Sequence, residues 1–302
     1  MTKENHISTK MGLNISGHKD IDFIDVNHKR DTKLFLDPCL IECCDDHFSV
    51  QCNHTIADFF DGLYGAYKEG DQHKIYMHLL YVGERNEAKL GYGTGLNGKA
   101  KTTEGMMETL ADLKHLIQSG ISLERAIDIP LLTPRFAEDC MSDMLMNILY
   151  KHFSEYTLEQ CRKYGVPTVR STEERYYWDS EEHCWKCYDG ESLMVDGKII
   201  LLIPKRYICT RLYYSTGHFF MSQIAPHLQR RDTIVVDGKE QKPSKKDIRK
   251  FECQKHGSIL SATCENAQLF PWVLSDYHFE MSRNYSDRCL SDEELDRIVY
   301  YT

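Results

Sequence analysis

Three polar side chains with the chemistry of metal ligands recur every fourth residue in the segment EDCMSDMLMN. They are Asp139, Asp143 and Asn147, and a four-residue spacing places side chains on one face of an α-helix. Carboxylate and amide oxygens are ligands that Mg²⁺ and Mn²⁺ take from proteins. The segment therefore predicts a helix face that binds a divalent cation or orients a water molecule. The alternative is an exposed polar stripe in which Asp139 offsets the helix dipole.

Two further charged side chains lie at the ends of predicted strands. Asp37 ends the strand-like segment TKLFLDP, and Lys205 follows the apolar run IILLIP. In metal-dependent nucleases of the PD-(D/E)xK type, a lysine placed this way stabilises the attacking hydroxide or the charge that develops on the phosphate. We therefore predict Asp37, Asp143 and Asn147 as metal ligands, and Asp143, Lys205 and Asp139 as catalytic residues. The alternative for Lys205 is a solvated strand end.

A glycine-rich segment, GTGLNGKA, spells most of a phosphate-binding loop. Gly93, Gly98 and Lys99 match the pattern, but Ala100 stands where the loop of nucleoside triphosphatases has Ser or Thr for the magnesium ion. The preceding residues also lack the apolar strand that such a loop requires. The segment therefore predicts a weak phosphate contact through backbone amides and Lys99, without triphosphate hydrolysis.

Two short cysteine and histidine motifs suggest a zinc site, and one triplet suggests a nuclease motif. A Cys₃His set joining a C-x-x-C to a C-x-x-H would have tetrahedral zinc chemistry. With twelve cysteines and fourteen histidines both pairs are near chance expectation, so a structural zinc is not favoured. The four residues are Cys184, Cys187, Cys253 and His256. The E-x-K triplet from Glu87 to Lys89 is equally common by chance and carries little weight.

The first half of the chain is predicted to be largely helical. Apolar residues from Val50 to Tyr67 recur at helical spacing, and Gly70 ends the pattern. The segment KIYMHLLYV, 74–82, is dense in apolar and aromatic residues and predicts a buried strand. The segment 102–120 predicts a helix that ends at Gly120, and 134–165 predicts two successive helices. The second is expected to begin at a Thr157 capping box and to end at Gly165.

The pattern changes to β from Glu174 onwards and returns to helix near the C-terminus. Two VDGK turns, at 195–198 and 236–239, predict hairpins. A Ser291 to Glu294 capping box predicts a final helix. Because helices and strands are segregated, we expect an α+β fold with a mixed sheet flanked by helices and a helical C-terminal portion. Residues 1–302 are expected to form one compact unit, with a sub-boundary near 240–245.

Composition limits the classes of function. The chain has 302 residues and a formal net charge of -9, which argues against a free-standing nucleic-acid binder. A nucleic-acid substrate would therefore need a local basic patch or a basic partner. Twelve cysteines without a secretory leader indicate reduced thiols in the cytoplasm. No apolar run is long enough to span a bilayer, so no membrane association is expected.

Three segments in order, LFLDPCLIE, EDCMSDMLMNILYKHFSEYTLEQC and IILLIPK, resemble a family of bacterial proteins associated with genes for defence against phage. The resemblance covers about residues 31–207 and implies a bacterial cytosolic protein of this architecture. The resemblance does not imply an enzymatic activity. It adds a reason to consider Asp37, Asp139, Asp143 and Lys205 together.

Two functional hypotheses follow. The first is a metal-dependent phosphodiesterase, in the nuclease class, that uses Mg²⁺ or Mn²⁺ on a nucleic acid in bacterial antiphage defence. The second is a non-enzymatic sensor or regulatory subunit that binds a partner protein in a defence complex, with the acidic helix face as an interface. A protein partner or a homo-oligomer is expected in either case.

Overall fold

The computed structural model describes residues 3–92, 102–283, 285 and 288–301. Gly93, Gly98 and Lys99, the predicted phosphate contacts, lie outside the described residues. None of the described helices is long and apolar enough to cross a bilayer. The helices are α1 Ile7–Lys10, α2 Pro38–Glu42, α3 His47–Glu69, α4 Gln72–Leu79, α5 Thr103–Thr109, α6 Asp112–Gln118, α7 Asp128–Leu132, α8 Glu138–Ile148, α9 Tyr150–Tyr164, α10 Thr216–Phe219, α11 Ala225–Arg231, α12 Lys245–His256, α13 Ile259–Leu269, α14 Val273–Ser282 and α15 Asp292–Tyr301.

The strands form small antiparallel sheets, so the α+β class and the helical C-terminal portion are confirmed. The strands are β1 Phe35–Leu36, β2 Val169–Arg170, β3 Tyr176–Asp179, β4 Cys184–Cys187, β5 Glu191–Val195, β6 Lys198–Ile200, β7 Ile208–Cys209, β8 Ile234–Val236 and β9 Lys239–Gln241. Within the described residues four separate sheets take the place of one mixed sheet: β1 with β7, β2 with β5 and β6, β3 with β4, and β8 with β9.

Helix α3 lies at the centre of the core, as the apolar spacing predicts. The Asp46 side chain accepts a hydrogen bond from the Ser49 amide at 3.2 Å, and Gly70 ends the helix in the left-handed conformation at φ 74°. Its apolar face is buried, with Phe59 and Leu63 fully inaccessible. One hydrophobic cluster continues from Ile7 to residues of α15. A single unit with a sub-boundary near 240–245 stays our prediction.

The prediction of a strand over 74–82 was wrong, because this segment contains helix α4. The Asp71 side chain accepts hydrogen bonds from the amides of His73 and Lys74, both at 3.0 Å, and so begins a helix directly after Gly70. Ile75 and Leu79, four residues apart, are the buried residues of the helix. The helix start signal at Asp71, directly after the helix end at Gly70, therefore outweighs the preference of the aromatic residues for a strand.

Two predicted helices in the centre of the chain are confirmed as α8 and α9, but the predicted start of α9 was wrong. Thr157 lies inside the helix, where its hydroxyl donates to the Phe153 carbonyl at 2.6 Å. The same hydroxyl accepts a hydrogen bond from the Leu202 amide at 2.9 Å, so Thr157 connects α9 to the chain after β6. The end of α9 at Gly165, with φ 67°, is as predicted.

Both predicted hairpins and the final capping box are confirmed. Asp196 and Gly197 have φ of 48° and 77°, and Asp237 and Gly238 have φ of 53° and 72°, as a two-residue hairpin turn requires. The Ser291 amide donates to Glu294 at 2.8 Å, and the Glu294 amide donates to the Ser291 hydroxyl at 3.3 Å. This reciprocal pair begins α15.

Candidate functional site

A cleft of about 770 Å³ opens between the segment after α4, the end of α8, and residues near β3 and β6. Five basic and three acidic side chains line it, which leaves an excess of two positive charges in a chain whose net charge is -9. An anionic ligand therefore fits the cleft better than it fits the average surface. The charged residues are Lys29, Glu84, Arg85, Glu87, Lys89, Glu173, Arg175 and Lys198.

Backbone hydrogen bonds hold the segment 83–91 that forms one wall of this cleft. The Thr32 amide donates to the Lys89 carbonyl at 2.8 Å, and the Leu201 amide donates to the Glu87 carbonyl at 3.0 Å. The Gly91 amide donates back to the Thr32 carbonyl at 2.9 Å. The segment is not a regular strand, yet bonds on two sides fix its course. Its side chains are thus presented from a rigid backbone.

Two guanidinium groups share one buried carboxylate inside the cleft. Arg175 donates to Glu87 at 2.6 Å, and Arg85 contacts the same Glu87 oxygen at 3.4 Å. Glu87 is only 8% exposed, so this ion pair is largely removed from water. Arg85 also donates to the Asn147 side-chain oxygen at 2.5 Å. Arg175 also pairs with Glu173, so the two guanidiniums face two carboxylates, and the excess positive charge of the cleft comes from its lysines, Lys29, Lys89 and Lys198.

Asn147 has a positioning role in this network. Its amide nitrogen donates to the Gly83 carbonyl at 2.6 Å and to the Asp143 carbonyl at 2.8 Å. Its oxygen accepts from Arg85. The side chain is buried and its groups are engaged, so it fixes the guanidinium of Arg85 and the segment at Gly83. The predicted role of Asn147 as a direct metal ligand would require breaking these bonds.

Four carboxylates gather beside the cleft. Burial, with repulsion from Asp139 as the second cause, raises the pKa of Asp143 from 3.8 to about 8. The charges of Glu84 and Asp31 act on Asp143 in the same direction, while a hydrogen bond from the Arg85 amide opposes them. The pKa of Asp139 and that of Asp31 are also raised, in each case mainly by burial. Burial and mutual repulsion thus favour the protonated form of Asp143, and burial favours that of Asp139 and Asp31.

The close approach of Gly91 to the Asp139 carboxylate requires a glycine. A Cβ atom at this position would lie 2.6 Å from the Asp139 Oδ1 atom, and the backbone has φ 121°. The amide of Tyr92 donates to Asp139, and the Tyr92 hydroxyl donates to Glu138 at 2.6 Å. The start of α8 is therefore held directly against the residues that precede 93–101.

The acidic group and the cationic cleft are adjacent. Arg85 connects them, because its amide bonds to Asp143 while its guanidinium lines the cleft. Glu84 belongs to both, and Asn147 lies one turn after Asp143 on α8. No three His, Cys, Asp or Glu side chains of the described residues are arranged to hold a metal ion by themselves. A cation here would need water or ligand oxygens as well, as Mg²⁺ usually does.

Asp37 and Lys205, predicted to join Asp143, have different surroundings. Asp37 is buried, and its two carboxylate oxygens accept from the amides of Cys39 at 2.9 Å and Tyr213 at 2.8 Å. It begins α2 and anchors a second loop, so its carboxylate has a structural role in this fold. Lys205 donates to Asp292 at 2.6 Å and to the His18 carbonyl at 2.7 Å. It therefore fastens α15, and neither residue shares a hydrogen-bonding partner with Asp143.

The remaining predicted motif residues lie elsewhere. Cys184 and Cys187 are exposed on β4, where their positions pair with residues of β3. Cys253 and His256 are on α12, and His256 contacts Glu252 at 3.3 Å. The described residues form no metal-holding group from these four side chains.

Sequence reasoning missed the two arginines and undervalued the E-x-K triplet. Arg85, Glu87 and Lys89 all line the cleft, and they lie in the charged run GERNEAK, which begins four residues after the end of α4. The position of this run between the end of a helix and a glycine-rich segment could have indicated that its residues belong to a site. Arg175 reaches Glu87 from far along the chain, and no local pattern marks it.

The family model described as "Domain of unknown function (DUF8370)" matches residues 12–215, more than half of the chain. The chain belongs to the DUF8370 family. All the charged residues of the cleft and the four carboxylates lie within the part that matches DUF8370, whereas α10 to α15 lie outside it. No curated protein and no solved structure matches the chain.

Proposed function

We propose that this DUF8370 protein is a divalent-cation-dependent phosphodiesterase of the nuclease class. One observation carries the proposal. Asp139 and Asp143, two carboxyl groups whose pKa values are raised mainly by burial, border a cleft with an excess of positive charge. A phosphodiester is an anion that suits the guanidiniums, and its hydrolysis is aided by a cation near the phosphate. The arrangement provides both kinds of site within one connected network.

The proposed roles of Asp37, Asp139, Asn147 and Lys205 differ from those predicted from the sequence. Asp143 and Asp139 supply carboxylate oxygens to the cation, and Arg85 and Arg175 hold the phosphate by charge-assisted hydrogen bonds. A bound Mg²⁺ or Mn²⁺ would supply Lewis-acid stabilisation of the developing charge. Asn147 keeps Arg85 in position. Asp37 and Lys205 stabilise the fold and take no part in the chemistry.

The net charge of -9 is compatible with a nucleic-acid substrate in this arrangement. The local basic patch that such a substrate needs is supplied by Lys29, Arg85, Lys89, Arg175 and Lys198, all of which line one cleft. The acidic remainder of the surface disfavours non-specific binding of long polyanions. We therefore expect binding that is weak outside the cleft and falls as salt concentration rises.

The test is cleavage of a phosphodiester with and without the metal ion. The intact protein is incubated with a single-stranded oligonucleotide and with an aryl phosphodiester, in Mg²⁺, in Mn²⁺ and in chelator. We expect metal-dependent cleavage that falls about 100-fold in Asp143→Asn, the size of effect seen when one charge-stabilising group is removed. Asp189→Asn is the matched control, because Asp189 is an exposed acid paired with Arg170. Undiminished cleavage by Asp143→Asn, with its folding intact, removes the assignment.

A second candidate function is a regulatory subunit that binds a protein partner. The observation in its favour is a set of apolar side chains more than half exposed in the part outside the family match. Phe251, Leu269, Trp272 and Phe279 are among them. This function predicts stable co-purification with a neighbouring gene product and no effect of Mg²⁺ or Mn²⁺ on thermal stability. The phosphodiesterase proposal predicts that these ions raise the melting temperature.

We extend the proposal to the cytoplasm of a bacterium and to antiphage defence, on two grounds. The motif resemblance implies this setting, and all twelve cysteines are free, as a reducing compartment would keep them. The expected result is fewer phage plaques on cells that express the wild-type chain than on cells that express Asp143→Asn. Equal plaque numbers at equal expression would remove the defence role.

A further inference from the structure

A second cavity, of about 390 Å³, adjoins the cationic cleft and has an aromatic lining. The two cavities share Leu80 and Tyr81 as wall residues. On the far side the second cavity is lined by Met77 of α4 and by Trp185 of β4. A ligand that reaches from one cavity into the other would thus meet basic groups first and flat apolar rings second.

The rings of this aromatic pocket are fixed in position. Tyr81 and Tyr176 are stacked, with ring centroids 3.8 Å apart and an interplanar angle of 7°. Trp185 meets Tyr81 edge-on at 5.7 Å and 76°, and its indole nitrogen donates to the His78 carbonyl at 2.9 Å. Because the polar atom of Trp185 is already bonded, the ring offers the pocket only its apolar surface.

The aromatic pocket and the guanidiniums belong to one rigid unit. Arg85 of the cleft donates to the Tyr176 carbonyl at 3.4 Å. Tyr176 is also the residue whose ring stacks on Tyr81 in the pocket, so it links the two cavities. Tyr176 directly follows Arg175, whose side chain holds Glu87. The distance between a phosphate on the arginines and a ring in the pocket is therefore set by adjacent residues.

We propose that the aromatic pocket is a nucleobase subsite, and that the cleft and the pocket together take one nucleotide unit. The proposal rests on the proposed function and names its substrate class: a phosphodiester that carries an unpaired base, as in a single-stranded nucleic acid. Stacking of bases on aromatic side chains is sequence-tolerant and strengthens binding about tenfold per base. A paired base is stacked inside a duplex and cannot enter the pocket without being extruded.

The charge of the surroundings decides between a base and an apolar protein side chain as the occupant. A protein segment would need an acidic side chain for the cleft and, at the right separation, an aromatic side chain for the pocket. A nucleotide carries its phosphate within a few bonds of its base. The nucleotide therefore matches both cavities with a single compact unit.

The experiment measures binding in chelator, so that cleavage does not interfere. Quenching of tryptophan fluorescence gives the Kd for a single-stranded oligonucleotide, for an abasic strand of equal length, and for a mononucleotide. We expect the base-containing strand to bind about tenfold more tightly than the abasic strand. Tyr81→Leu should lose this ratio and Tyr81→Phe should keep it. A mononucleotide that binds as tightly as the strand would show that a free nucleotide, which has no phosphodiester bond, is the ligand, and would overturn this substrate class.

A second variant protects the test against misfolding. Met77 is 44% exposed, so Met77→Glu should fold normally while it places a charge at the pocket. The new charge repels both strands equally, so it cancels in the ratio of their two Kd values. We expect this ratio to fall towards one because the base no longer fits the pocket. Equal binding of the base-containing and abasic strands by the wild-type protein overturns the subsite.

Failure of this inference and failure of the proposed function give different results. Base-dependent binding without cleavage in any metal ion supports the subsite and removes the phosphodiesterase. Cleavage of the aryl phosphodiester without any preference for the base-containing strand supports the phosphodiesterase and removes the subsite. Asp143→Asn should keep the base preference because it does not line the pocket.

Discussion

Replacing Asp143 by Asn should make the protein more stable and less active at the same time. Burial and the charge of Asp139 raise the pKa of Asp143 to about 8, so the folded protein holds a proton that the unfolded chain releases near pH 3.8. Raising the pH therefore favours the unfolded chain throughout this window, and the free energy of unfolding falls. Asn has the shape of the protonated acid but no ionisable group, so the free energy of unfolding of the variant should not fall over this pH range for this reason.

The size of the effect follows from the two pKa values. Each pH unit between them lowers the free energy of unfolding by about 1.4 kcal/mol at most, so the step from about pH 5 to pH 8 is worth at most about 4 kcal/mol. Asp143 is partly exposed, and Asp139 and Asp31, whose pKa values are also raised, share the protonation. We therefore expect about 2 kcal/mol of extra stability in Asp143→Asn near pH 8.5, and almost none near pH 5.

Urea unfolding of both proteins at about pH 5 and about pH 8.5, without divalent ions, measures the difference. The same series with Mn²⁺ at about pH 8.5 should restore the stability of the wild-type protein and leave Asp143→Asn unchanged, since a cation replaces the missing proton. Parallel pH profiles for the two proteins would show that Asp143 is not under electrostatic strain. That result would contradict a raised pKa of Asp143 in the folded protein, on which the proposed cation site depends.

Three further substitutions separate the site from the scaffold. Gly91→Ala places a Cβ 2.6 Å from Asp139 at φ 121°, so we expect a loss of about 1–3 kcal/mol by thermal denaturation together with a weaker response to Mn²⁺. Asp37→Ala leaves the Cys39 and Tyr213 amides without their side-chain partner and should cost about 2–4 kcal/mol in urea unfolding while Mn²⁺ binding by the folded fraction is unchanged. Lys205→Met removes the ion pair with Asp292 and should cost about 1 kcal/mol with unaltered cleavage; a large loss of cleavage would return Lys205 to the active site.

Local signals were sufficient to predict most elements from the sequence. Gly70 and Gly165 end their helices, the Ser291 capping box begins α15, and the two Asp-Gly turns form hairpins. Each of these depends on backbone groups within a few residues. The failure at α4 has the same origin, because the Asp71 N-cap was given less weight than an aromatic-rich segment.

The site could be predicted only in part, because its residues meet through the tertiary fold. Asp139 and Asp143 lie on one helix, and their spacing was informative. Arg85 and Arg175 converge on Glu87 from distant segments, and nothing in the local pattern of either segment indicates the other. Asp37 was misleading for a physical reason: an acid after a strand and before a proline can also be a buried helix cap, which is what the structure contains.

The central claim is that Asp143 and its neighbours bind a divalent cation beside the cationic cleft. Titration with Mn²⁺ near pH 8, followed by the electron paramagnetic resonance signal of the free ion, tests it most directly. We predict one bound ion per chain in the wild-type protein and in Asp189→Asn, and none in Asp143→Asn. Absence of binding by the wild-type chain, or equal binding by Asp143→Asn, would contradict the claim.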